Sequence, residues 1–375
     1  MAAPLQYSLL LLPFLCLFLA LAFSSGEADP KVPAIFIFGD SSADVGNSKY
    51  LSGGQDYYNN FLPYGIDYPS KNARHPTGRY SNGYNGADAL AQIMGFKESP
   101  PPFRSLLIDN NTCEIDITQA MKGLNFASGG SRLLTESSDG VISMTEQVKC
   151  FRKFRSQLTT PYPLLSESLF LISIGDNDIG AFLSETYHKR NDTDFNIFIE
   201  TASFISNLTA TYRNHIMDLY ELGGRKFGIV NFVPVGYIPR ANVVSRNDTN
   251  VLNILPWLCN IALKVLMNNL SSTLPGMKYS IGNSYAVFMK IIDNPGAYGF
   301  KNVTDPCCGS ALYGCNQTAT VCSDRSQYLF WDNVHPTMAT AEVFGNLVYD
   351  GSTEFASPIN FKKLVEDYNE LTSVY

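Results

Sequence analysis

Charge is scarce in this sequence. Only 16% of its 375 residues are charged, and the 27 Lys and Arg are outnumbered by 34 Asp and Glu. A net charge of −7 leaves no cationic excess to displace counterions from a polyphosphate, which argues against a nucleic-acid partner. At 45% hydrophobic residues, the chain is too apolar for a disordered one and can bury a sizeable core. No cysteine and histidine set has the spacing of a zinc site, so no metal is expected. There is no internal repeat, low-complexity tract or polar linker. The length allows two domains at roughly 150 residues each, but α/β folds often run longer as one. We therefore read residues 26–375 as a single domain.

The first 25 residues lack any charged side chain. Leu9 to Phe23 is an apolar run broken by Pro13 and followed by Ser24, Ser25 and Gly26. It is shorter than the ~18–20 residues that span a bilayer, so residues 1–25 read as a secretory signal peptide. No later stretch reads as a membrane span, and no transmembrane helix is expected in the mature chain. Two features agree with export. Asn-x-Ser/Thr acceptors begin at Asn110, Asn191, Asn207, Asn247, Asn269, Asn302 and Asn316, which fits a secreted glycoprotein. Cys16 falls in the leader and leaves Cys113, Cys150, Cys259, Cys307, Cys308, Cys315 and Cys322. In an oxidising compartment most of these pair, and an odd number leaves at least one free or bonded outside the chain. Cys315 and Cys322 can close a short loop, whereas the adjacent Cys307 and Cys308 suit separate partners.

Apolar runs at Pro33–Phe38, Leu124–Ala127, Leu169–Ile174, Lys226–Phe232 and Met277–Ile281 read as buried strands. Helical spacing marks Gly86–Met94, Met144–Phe154, Asp194–Leu222, Asn250–Leu270 and Ser284–Ile292. Pro336–Val348 reads as a helix opened by proline. Strand and helix in alternation predict an α/β fold with a mostly parallel sheet covered on both faces. Residues 296–327, rich in Cys, Gly and Asn, read as a disulfide-tied loop.

In such sheets ligands bind beyond the carboxyl ends of the strands. Three strand ends carry unusual residues: Gly39-Asp40-Ser41-Ser42, Asn125-Phe126-Ala127-Ser128-Gly129-Gly130 and Gly175-Asp176-Asn177-Asp178. A serine at the first can lift its hydroxyl above the sheet, the glycines of the second can bare backbone N–H groups, and the third offers an amide. Asp332-Asn333-Val334-His335-Pro336 places a carboxylate and an imidazole within one turn, so that the acid can fix the ring tautomer. Together these make a nucleophile, a base, an orienting acid and oxyanion donors. Ala43 stands where the second glycine of a Gly-x-Ser-x-Gly elbow would be, which argues against the α/β-hydrolase fold.

With Pro76-Thr77-Gly78-Arg79-Tyr80-Ser81-Asn82-Gly83 and Asp305-Pro306-Cys307-Cys308-Gly309, these blocks resemble the plant GDSL esterase/lipase family of the SGNH hydrolase superfamily. The resemblance runs from about Pro33 to about Val348. It implies a three-layer α/β/α sandwich on a five-stranded, flavodoxin-like parallel sheet. It implies Ser41 as nucleophile, His335 as general base and then acid, and Asp332 as its orienting group. The oxyanion hole would combine the N–H groups of Ser41 and Gly130 with the Asn177 amide. No metal or organic cofactor is implied. The partner is an ester substrate: a small molecule, a lipid or a polysaccharide. The apoplast or cell wall is the expected location, with the vacuole or another secretory lumen as alternatives. Ser42 departs from the leucine typical of the family, Asn283 from aspartate and Tyr237 from a common cysteine.

Other residues receive plainer readings. His75, His188 and His215 read as surface or satisfied histidines, Arg79 as part of a structural ion pair, and Asp178 as a helix cap. Tyr57, Tyr58, Phe61, Tyr64 and Tyr68 either line an acyl or aryl pocket or pack under a loop. The expected activity is carboxylester hydrolysis through an acyl-serine. A transacylase using the same serine and a non-catalytic binding glycoprotein are the alternatives.

Overall fold

A computed structural model describes residues 29–51, 59–69, 75–109, 112–136, 140–188, 194–244 and 249–366. The leader, Asn110, Asn191, Asn247, Tyr57, Tyr58 and the His188 side chain lie outside the described residues.

The strands are β1 (Ile35–Gly39), β2 (Gly123–Asn125), β3 (Leu169–Ser173), β4 (Lys226–Val230), β5 (Lys278–Gly282), β6 (Asn302–Pro306), β7 (Tyr328–Phe330) and β8 (Ala356–Ser357). The helices are α1 (Gly86–Ile93), α2 (Met144–Gln157), α3 (Pro161–Glu167), α4 (Asp176–His188), α5 (Asp194–Glu221), α6 (Pro239–Val244), α7 (Thr249–Thr273), α8 (Ser284–Asp293), α9 (Met338–Asp350) and α10 (Phe361–Glu366). The main sheet has the order β2-β1-β3-β4-β5-β8. Its first five strands are parallel, as expected, and β8 adds a two-residue antiparallel edge. β6 and β7 form a separate parallel pair within the cysteine-rich region.

Successive strand side chains point to opposite faces, so continuous apolar runs build two cores. Phe36, Phe38, Phe170, Ile172 and Phe227 pack against residues of α2, α5 and α7. Ile35, Ile37, Leu169 and Leu171 pack against residues of α1, α8, α9 and α10. On the first face Phe36 meets Phe151 at 5.1 Å between ring centroids and Phe38 stacks on Phe126 at 5.2 Å, geometries that favour ordered aromatic packing. The chain leaves β1 toward β2 on one side and reaches β3 on the other. The crevice beyond β1 and β3 is therefore the topological switch point.

Four expectations need correction. By length and apolar composition, α7 qualifies as a membrane span, contrary to the sequence reading. It is a core helix here: Leu255, Cys259, Leu263, Leu266, Met267 and Leu270 are buried, while the flank bearing Trp257 and Ile261 is exposed. Pro336 lies before its helix, which starts at Met338; Thr337 is the cap, its hydroxyl accepting from the Thr340 N–H at 3.2 Å. Helix α4, expected to follow a cap at Asp178, already begins at Asp176, so Asp178 lies inside its first turn. Cys315 does not pair with Cys322: the bonds are Cys307–Cys322, Cys308–Cys315 and Cys113–Cys150, with Cys259 free and buried. Cys307 and Cys308 do take separate partners.

Candidate active site

The turn that presents Ser41 is tied down at every neighbour. Gly39 has φ +158°, and a Cβ there would lie 2.2 Å from the Ser173 carbonyl oxygen, so only glycine allows β1 to end this close to β3. The buried Gln147 amide accepts from the Gly39 N–H at 2.9 Å and donates to the Gly39 carbonyl at 2.8 Å. Asp40 Oδ1 accepts from both the N–H (2.9 Å) and the hydroxyl (2.8 Å) of Ser42. Ser42 Oγ also lies 2.8 Å from Ser173 Oγ. The departure from leucine at 42 thus adds a polar link from the turn to β3.

Ser41 Oγ is 2.9 Å from His335 Nε2. On the far side of the ring, Nδ1 lies 2.8 Å from Asp332 Oδ2 and 3.0 Å from Oδ1. Asp332 Oδ1 also accepts the N–H groups of Val334 (2.8 Å) and His335 (2.7 Å), which the three-residue spacing permits. The buried Tyr64 hydroxyl donates to Oδ2 at 2.7 Å. Burial alone would raise the Asp332 carboxyl, but the His335 charge and these hydrogen bonds outweigh it and hold the group below the ordinary carboxylate range. Burial, then the Asp332 charge, pushes the Tyr64 phenol up, so it stays a donor. The Tyr80 ring packs on His335 with centroids 4.8 Å apart.

Asn177 stands in the first turn of α4, directly after β3. Its Nδ2 donates to the Ser131 carbonyl at 3.0 Å, next to the exposed Gly130, whose φ of +76° suits glycine. Asp178 fixes the same loop by accepting from the N–H groups of Leu133 (2.9 Å) and Leu134 (3.0 Å). This replaces the helix-cap role expected for Asp178. Ser41, Asn177 and His335 line one cavity at the strand ends, and Gly130 is joined to it through the Ser131 contact.

Buried carboxylates surround this turn without facing the histidine ring as Asp332 does. Burial pushes Asp40 up to about 6, against the pull of its bonds to Ser42. Burial and then the Asp40 charge push Asp176 well above the usual range, and its Oδ1 accepts from the Val233 N–H at 3.1 Å. Both are therefore held toward the neutral form.

Arg79 makes the expected structural ion pair, with Nε 2.6 Å and Nη2 2.8 Å from the buried Asp88 carboxylate. His75 is exposed. His215 is neither exposed nor satisfied. It is buried on α5, neither ring nitrogen has a hydrogen-bond partner among the described residues, and burial lowers its pKa. Tyr64 does not line the cavity but stands behind Asp332, with Phe61 edge-on at 5.3 Å. Sequence reasoning missed its contact with the acid. The only signal was its place in an aromatic run. Cys113, Glu146 and Cys150 bring potential metal donors together, but the two sulfurs are bonded to each other.

Residues 35–348 match the family model described as GDSL-like lipase/acylhydrolase. A protein of Arabidopsis thaliana named GDSL esterase/lipase is 33% identical, covering 91% of this chain and 90% of its own. A second of that name from the same plant is 34% identical over 82% of this chain and 87% of its own. An anther-specific proline-rich protein of Brassica napus is 30% identical over 83% of this chain and 70% of its own.

Proposed function

Because the chain belongs to the GDSL-like lipase/acylhydrolase family and is a carboxylic ester hydrolase, we propose that it is a secreted serine esterase working through Ser41, His335 and Asp332. The observation that supports this reading is the unbroken relay from Ser41 Oγ through His335 (2.9 Å) to Asp332 (2.8 Å) at the switch-point crevice. His335 Nε2 takes the Ser41 proton as Oγ bonds to the ester carbonyl carbon. The oxyanion is met by the N–H groups of Ser41 and Gly130 and by the Asn177 amide. The tetrahedral intermediate collapses, the C–O bond to the alcohol breaks, and His335 returns its proton to the departing oxygen. Water then adds to the acyl-serine with His335 again as base, releasing the acid and restoring the Ser41 hydroxyl. Asp332 keeps Nδ1 protonated and supports the imidazolium in both steps.

On this reading residues 1–25 are removed on export and residues 26–375 act as one domain. The exposed Asn207, Asn269 and Asn316 suit glycans, and the partly buried Asn302 does so less well. Treating the secreted protein with a fluorophosphonate and reading the intact mass tests the chemistry. One adduct is expected on the parent and none on Ser41→Ala. A folded parent that takes no adduct would refute an activated Ser41.

A further inference from the structure

We propose that the cavity behind Ser41 is an acyl-chain pocket for chains of about six carbons, its length set by side chains of α1, β3, α8 and α9. The inference rests on the esterase reading above and names the acyl group that reading leaves open. The pocket is carved by small residues. At the top of the sheet, the face toward α1 and α9 lines it with the register neighbours Ser173 and Val230. Opposite it, α1 presents Gly86 and Ala87 and α9 presents Ala341. A Cβ on Gly86 would find only the Phe344 ring, at 3.8 Å.

The inner end is closed by Leu90, Leu171, Phe288 and Phe344, which are 1%, 2%, 6% and 8% exposed. Leu171 lies two residues down β3 from Ser173. Leu90, Phe288 and Phe344 each lie four residues along a helix from a lining residue level with the strand ends: Gly86, Ser284 and Thr340. Both spacings put the closed end about 6 Å below that level, which accommodates about six carbons counted from the ester carbonyl. The hydroxyls along the wall are already engaged. Ser284 donates to Asn231 Oδ1 at 2.9 Å, Thr340 donates to the Leu329 carbonyl at 2.7 Å, and Ser173 pairs with Ser42 at 2.8 Å. Asp40, Asp176, Asn177 and Asn231 also reach the cavity, and each has a protein partner in Ser42, Val233, Ser131 or Ser284. The surface left for a ligand is mostly apolar, which suits methylenes rather than a sugar.

A pocket closed at its inner end suits the acyl half of the ester. The alcohol must depart before water reaches the acyl-enzyme, and both use the His335 side, where the side chain is 16% exposed. The acyl group stays on Ser41 through that exchange and has no need of an exit.

The experiment measures kcat/KM for p-nitrophenyl acetate, butyrate, hexanoate, octanoate and laurate, with Ser41 labelling by fluorophosphonate as a parallel readout. Each buried methylene should raise kcat/KM about fourfold up to about six carbons, and the trend should reverse beyond that. Ala87→Leu should lower the hexanoate-to-acetate ratio at least tenfold, and Phe344→Ala should move the optimum to longer chains. Melting curves for both variants exclude misfolding as the cause. A second series, acetates of methanol, butanol and hexanol, should show no such length dependence. If Ser41 takes the label but the acyl profile is flat, or if Ala87→Leu discriminates alcohols instead of acyl chains, the pocket assignment is wrong and the esterase reading stands. A folded protein with neither label nor hydrolysis overturns both.

Discussion

Replacing Tyr64 with phenylalanine removes one oxygen, 2.7 Å from Asp332 Oδ2, from a buried site. Asp332 then keeps the Val334 and His335 N–H groups and the imidazole, so the loss is one charge-assisted hydrogen bond out of several. Such a bond contributes about 1.5–3 kcal/mol, and the remaining donors place the cost toward the lower end. The sign with pH follows from the Asp332 carboxyl, which is depressed in the folded chain. Its contribution to stability is present above the unfolded pKa and is lost as pH falls through the folded one. The Tyr64→Phe deficit should therefore be full at pH 7 and shrink in acid as Asp332 is protonated. Urea denaturation at pH 7 and at pH 3 reads this directly. Kinetically, Tyr64 acts through Asp332 and His335 and touches no bound ester, so kcat should fall about tenfold while KM holds. In the Asp332→Asn background the same substitution should cost much less. An unchanged stability at pH 7, or a raised KM with kcat intact, would refute this account. The second outcome would return Tyr64 to the substrate-lining role that its aromatic neighbours suggested.

Two further outcomes follow from the same geometry. Asn177→Ala removes the link to Ser131 and, on the proposed mechanism, an oxyanion donor, and should lower kcat by ~10²–10³ with a normal melting curve; a loss under threefold would remove Asn177 from the reaction. Asp40 ionises at about 6 when folded because burial raises it, and near 3.8 when unfolded, so it costs stability as pH rises between those values, by about 3 kcal/mol in total. Asp40→Asn keeps an acceptor for Ser42 and should gain on the parent by that order between pH 4 and pH 7. A stability difference that does not vary with pH would contradict the raised carboxyl.

What the sequence made legible was local. Ser41, Asn177 and the Asp332–His335 pair each sit where a strand or turn displays an atypical side chain, and a spacing of three brings acid and base together without help from the rest of the chain. Strands β1 and β3 were legible because burial on both faces leaves near-continuous apolar runs, whereas β2, β4 and β5 showed only as shorter apolar stretches beside Gly, Lys or Asn. The edge elements were not. β6 reads Asn-Val-Thr-Asp-Pro, with no alternation to mark a strand, and β8 has only two residues. Tyr64 meets Asp332 across 268 residues, and no periodicity can encode such a contact. The cysteine pairing failed for a related reason. Closing 315 to 322 spans the same seven residues as closing 308 to 315, so chain length does not choose between them. The β6–β7 pairing and the Cys308–Val321 bridge decide it by aligning the two arms of the loop.

The same division explains how the site is held. The groups that the proposed mechanism uses lie on turns or at a helix start, and each is fixed by a residue remote in sequence. Gln147 clamps the peptide before the nucleophile from 108 positions away. Asp178 holds the Leu133 and Leu134 amides from 45 and 44 positions away, and Tyr64 caps the acid. A hydroxyl becomes a useful nucleophile only when its base, its oxyanion donors and its own backbone keep one arrangement through several steps, because reorganisation during the reaction would raise the barrier. Ser41 lies between β1 and β3, whose ends are locked by the Gly39–Ser173 approach, while His335 comes from the far end of the chain. On the proposed mechanism, the short local motifs therefore specify which atoms react. The long-range contacts of Gln147, Asp178 and Tyr64 specify where those atoms stand, and substitutions there should lower turnover without touching a single reacting atom.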